Sequence, residues 1–228
     1  MEEHEMKKKI IALLAVAMLT LATSAMATSL YVGTNYSNIH SVVNLGSGDQ
    51  YTIEGGGSIS GSSLDGRQLQ YLYCVDTFNN INPGVTYPNT TINNSGQIHG
   101  IGLNNADKVA YLLTTYGTGG QTDQAIALQA AIWHEVNAPS VYKLDVAYYG
   151  SSSTIATLYN QYITAADNNH GDVTKFIWIN PGNDATGSNV RYQGLVTAHN
   201  PEPSTIILLG TGILFMAVYG KRRMNKEA

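Results

Sequence analysis

The chain has 228 residues and a formal charge of −4 at pH 7. Residues 28–200, which lie between two terminal segments of different character, carry five basic and eleven acidic side chains, a net −6. That balance argues against nucleic acid or anionic lipid as a partner. A single cysteine excludes an intramolecular disulfide, so an apolar core must hold the fold. At the amino end, Met6 and three lysines form a basic start, IIALLAVAMLTLA an apolar stretch, and Ala25-Met26-Ala27 a small-x-small cleavage site. This is the pattern of a secretory signal peptide over residues 1–27. An exported body of 28–200 is then the size of one domain.

The first part of the body reads as β. SLYVGTNY, HSVVNL, QYTIE and LQYLYCV are short runs rich in β-branched and aromatic residues, separated by clusters such as GSGD and GGGSISGSS. Residues 76–103 are dense in Asn, Pro and Gly and read as a long loop. The period then changes to helical. Asn104–Tyr116 has an Asn cap, an early acid, a terminal Gly117, and Val109, Leu112, Leu113 and Tyr116 on one face. A second helix is predicted from Thr122 to Val136 and a third from Ser153 to Ala166. DVTKFIWIN and NVRYQGLVTA return to strand, joined by the turn residues of PGNDATGS. The expected class is α+β: an antiparallel β framework, sandwich- or barrel-like, with an inserted helical subdomain. No paired-histidine motif or calcium-loop spacing is present, so no metal or cofactor is expected.

The carboxyl end reads Pro201-Glu202-Pro203, then an apolar run, then Lys221-Arg222-Arg223. The run is slightly under the ~20 residues that span a bilayer comfortably, and the basic end can snorkel. Its charge favours a cytoplasmic C-terminus and a body outside the inner membrane. Residues 201–228 resemble the PEP-CTERM sorting signal. The resemblance implies a Gram-negative source, transient inner-membrane anchoring, cleavage by an exosortase near Pro201–Pro203, and delivery to the cell surface or polysaccharide matrix.

Cys74 ends the run LQYLYCV and is followed by Val75-Asp76, while Gln129 opens QAAIW in the second predicted helix. YCVD and QAAIW together resemble the bacterial thioester domain, which pairs an aromatic-Cys strand motif with a Gln-x-Ala-aliphatic-Trp helix motif. DKVAYLLTTYG resembles the helix preceding that motif. The resemblance covers roughly Tyr71 to Asn137, and implies a thioester between Cys74 and Gln129. Cys74 would attack the side-chain amide carbon and expel ammonia, helped by fixed geometry and by donors aimed at the developing oxyanion. The product would capture an amine once, as a harpoon for adhesion or matrix attachment and not as a turnover enzyme. Tyr71, Tyr73 and Trp133 are candidates to keep the bond dry, with ordinary core packing as their simpler role. Asp76, Glu135 and His134 are each open as the base. Two other readings stay open: a non-reactive matrix protein with a free thiol, and a cysteine hydrolase using Cys74 with His99, His134 or His170.

Overall fold

The computed structural model describes residues 28–44, 50–53, 55–137, 141–182, 191–199 and 211–212. The predicted signal peptide, and the Pro201–Pro203 and Lys221–Arg223 motifs, lie outside them. Among the described residues no helix is long and apolar enough to cross a membrane; most of the predicted tail span falls outside these residues.

The fold is α+β on an antiparallel framework. Its strands are β1 (Thr28–Tyr31), β2 (Asn35–Ser37), β3 (Ser41–Asn44), β4 (Gln50–Ile53), β5 (Gly56–Ser60), β6 (Ser63–Leu64), β7 (Arg67–Gln68), β8 (Tyr73–Cys74), β9 (Thr86–Asn93), β10 (Gln97–Ile98), β11 (Ile101–Gly102), β12 (Tyr142–Leu144), β13 (Phe176–Asn180) and β14 (Leu195–Ala198). Among the described residues a seven-stranded curled sheet has the order β7-β6-β1-β9-β13-β14-β8. A β12-β3-β4 sheet and a β2-β5 pair accompany it, and β10-β11 forms a small hairpin. Helices α1 (Ala106–Tyr116), α2 (Asp123–Val136), α3 (Val146–Tyr149) and α4 (Thr154–Asp167) lie between the early and late strands in sequence.

α2 is the axle of the molecule. It starts where Thr122 caps it by accepting from the Ala125 N–H, with Asp123 in its first turn. Nearly every residue from Ala125 to Val136 is buried, the signature of a helix surrounded by protein. It packs on α1, α4, β5, β8 and β12. Its small residues Ala127, Ala130 and Ala131, all fully buried, allow this close approach on several sides.

Four local expectations change. Residues 76–103 are not all loop: β9 runs through TYPNTTIN and is the bridge between β1 and β13. Its Pro88 and its left-handed Asn89, at φ 57°, belong to turn vocabulary, yet Tyr87 and Thr90 are buried. The bulge where β1 changes register against β9 accommodates them. Part of the GGGSISGSS separator is strand β5. The Asn cap of α1 also works otherwise. Asn105 has φ 49° and makes no side-chain cap; its Nδ2 donates instead to the Glu135 carbonyl on α2. Gly117 ends α1 with a negative φ, so it is not there for a left-handed turn. A Cβ at Gly117 would run into the Leu113 carbonyl and stand 3.1 Å from the Tyr71 ring.

The core is rich in tyrosine, and this has a consequence at high pH. Burial pushes the phenols of Tyr71 and Tyr159 up to about 12 and those of Tyr73 and Tyr142 well up from the ordinary 10.0. Above pH 10 the unfolded chain gives up phenol protons that the native state retains. Stability is therefore intact below pH 10 and falls as pH rises toward 12. Thermal melts at pH 8 and pH 11 should show a clear drop in Tm at the higher value. An unchanged Tm would mean that these rings are not sealed from water.

Candidate functional site

The Cys74 strand and the Gln129 helix meet. The Cys74 N–H donates to Gln129 Oε1 at 2.8 Å, and Gln129 Nε2 donates to the Cys74 carbonyl at 2.7 Å. Each polar atom of the carboxamide is thus paired with the main chain of the cysteine. Gln129 is 0% exposed and Cys74 2%, so the clamp is dry.

Strand geometry explains the clamp. On one side the segment bonds β14, with Cys74 opposite Leu195 and the Val75 N–H donating to the Gly194 carbonyl. In an antiparallel pair, alternate residues turn their N–H and C=O the other way. Leu72 does so and accepts from the Ile59 N–H of β5. Cys74 does so one step later, where no backbone partner is found among the described residues. The Gln129 carboxamide takes the place of that missing strand. An edge left bare in a dry core would cost about 1–3 kcal/mol per group.

Around the clamp, Trp133 sits one helical turn beyond Gln129 on the same face of α2. Trp133 is fully buried, and its ring meets Tyr142 edge-on at 5.8 Å. Gly56 of β5 fits against both: a Cβ there would lie 2.8 Å from the Trp133 ring and 3.3 Å from Gln129 Cγ. Sequence reading passed over Gly56 as a spacer. A glycine run inside a strand marks close approach of backbone to a large side chain, and that was the available signal. Tyr71 and Tyr73 are buried and tilted on each other at 5.5 Å, and the Tyr73 hydroxyl donates to the Thr118 carbonyl. They pack the sheet against the α1–α2 connection.

Electrostatics keep the sulfur protonated. Burial pushes the Cys74 thiol far above its ordinary range, and the negative charge of Asp76 adds to it. The Asp76 carboxylate accepts from the Phe78 N–H and from Asn79 Nδ2, and lies 3.8 Å from His99 Nε2.

Other candidate bases are drawn elsewhere. His134 Nδ1 pairs with the Tyr159 hydroxyl of α4, and His170 with Asp107 at the surface. Glu135 is buried against Lys108 at 3.2 Å and ties α2 to α1. Among the described residues none of the three histidines is hydrogen-bonded to the thiol, and no three His, Cys, Asp or Glu side chains gather into a metal site.

No family model, no curated protein and no solved structure matches this chain.

Proposed function

We propose that the chain is an exported surface or matrix protein in which Cys74 and Gln129 condense into an internal thioester. That bond then captures a primary amine on a partner surface. The observation that carries this reading is the Gln129 carboxamide held at both ends on Cys74 itself. The Cys74 N–H points at the oxygen that gains negative charge when sulfur adds to the amide carbon. The Nε2 contact with the Cys74 carbonyl fixes the leaving nitrogen. In the adduct the C–N bond breaks, and the thiol proton leaves with that nitrogen as ammonia. No outside proton or oxidant is required. Held geometry supplies what an amide lacks in reactivity, up to roughly 7–11 kcal/mol in favourable intramolecular cases.

Capture reverses the roles. An amine nitrogen bonds to the Gln129 carbon, the C–S bond breaks, and Cys74 returns as a thiol. Each molecule acts once, so the protein is not an enzyme. Export and sorting rest on the two terminal segments, with an exosortase as the processing partner and the cell surface or matrix as destination.

A passive matrix protein is the second reading, and the same clamp favours it, because the Gln129 carboxamide and the Cys74 main chain already satisfy one another. Methylamine separates the two. The thioester form takes up one methylamine at Gln129 and exposes one thiol, titratable after denaturation. The passive form takes up none and has its thiol from the start. A hydrolase would instead turn over an ester or amide substrate.

A further inference from the structure

Beside the clamp lies an open groove of about 180 Å³, walled by the segment that follows Cys74, the β10–β11 hairpin and the end of α2. Its apolar wall includes Val75, Ile98 and Val136. Phe78, 61% exposed, and Ile101, 64% exposed, stand at its rim as large apolar side chains left in solvent. Asp76 is the one charged residue among the described residues that line it. Its side chain is 12% exposed, two residues from Cys74, and close enough for its charge to act on the sulfur.

We propose that this groove is the docking subsite for a lysine side chain, with its alkyl arm along Phe78 and Ile101 and its ammonium on Asp76. The argument is charge and wall chemistry. A carboxylate offers about four acceptor positions. Phe78 N–H and Asn79 Nδ2 fill two, and His99 Nε2 stands at 3.8 Å, beyond hydrogen-bond length. A cation therefore finds an acceptor in a groove that also presents the apolar side chains of Phe78 and Ile101. One carboxylate suits one ammonium, whereas a polyamine carries several charges for which the described lining offers no second acid. Thr77, Asn104 and Asn137 line the groove as well, so the preference over an amino sugar rests on the apolar rim of Phe78 and Ile101, where sugar hydroxyls find no partner. A volume of 180 Å³ equals about six liquid-water volumes, enough for one alkyl arm. The assignment names the amine class of the proposed thioester and rests on that reading for its purpose, but the binding itself does not need the bond.

The test uses the full chain carrying Cys74→Ala, which forms no thioester and leaves the main-chain clamp in place. Nα-acetyl-lysine methylamide is titrated and followed by backbone amide shifts in NMR. Shifts should cluster at Phe78, Ile101 and Val136. Asp76→Asn should weaken binding about tenfold or more, the loss of a charged hydrogen bond. Phe78→Ser, a surface change that spares the core, should weaken it as well. Glucosamine and the uncharged norleucine analogue should bind more weakly than the lysine probe. Shifts elsewhere, equal binding by Asp76→Asn, or tighter binding of glucosamine would overturn the assignment. Failure of the thioester reading shows separately, as a wild-type chain that retains its ammonia and its free thiol whatever the groove binds.

Discussion

Gln129→Leu in a Cys74→Ala background should lower the unfolding free energy by roughly 2–6 kcal/mol, although no thioester is at stake there. Leucine fills most of the volume but leaves the residue-74 N–H and carbonyl without partners inside a dry core. Two such groups cost about 1–3 kcal/mol each. Gln129→Glu in the same background is the sharper comparison. One carboxylate oxygen accepts from the residue-74 N–H, but the other faces the residue-74 carbonyl, now oxygen against oxygen. Only a protonated carboxyl donates across that gap. Burial and the facing carbonyl both push the new carboxyl above its unfolded value. The native state then holds a proton that the unfolded chain releases, so stability falls as pH rises and recovers on acidification. Urea titrations at pH 4.5 and pH 8 should show the Glu variant close to Gln at the lower pH and well below it at the higher. Equal stabilities at both values would mean that the carboxamide does not hold the strand.

Trp133→Ala should cost about 3–5 kcal/mol, in the range of large aromatic truncations in a core. The ring fills the space between Gly56, Ile39 and Tyr142. Its loss also removes the neighbour one turn from Gln129, so methylamine uptake should fall along with stability. Gly56→Ala alone should be destabilising, by about 1–3 kcal/mol or more, because its methyl meets the ring at 2.8 Å and because φ is +156° there, a conformation that L side chains rarely adopt. The two changes touch the same space. The double variant should therefore be less damaged than the sum of the singles, since the methyl enters the hole that the ring vacates. A simple sum from denaturant titrations would show that the cost at Gly56 lies in its backbone conformation and not in the space shared with Trp133.

What the sequence made legible follows from how each element is stabilised. α2 and α4 were readable within a residue because Thr122 and Ser153 cap them with their own side chains. The partnership of Cys74 with Gln129 was legible from the two motifs. The manner of contact was not: the carboxamide grips the main chain, and nothing local to either motif encodes a missing neighbour strand. β9 was hidden by Pro88 and Asn89, whose turn preferences are overridden by burial of Tyr87 and Thr90 between two other strands. β5 was hidden because glycine and serine weaken a strand locally. Here they leave room for Trp133, a requirement set by a helix more than sixty residues away. The groove was invisible for the same reason, since Asp76, Ile101 and Val136 meet only in the folded chain.

Native intact mass of the wild-type chain, compared with Cys74→Ala processed in the same cells, bears hardest on the acyl link. Any trimming of the ends is shared and cancels. Beyond the cysteine-to-alanine difference, the wild type should be lighter by one ammonia, and brief methylamine treatment should add one amine to it and none to the variant. A wild-type chain at its full sequence mass, with Cys74 free and inert to methylamine, would leave the clamp as a structural edge cap and remove the capture chemistry.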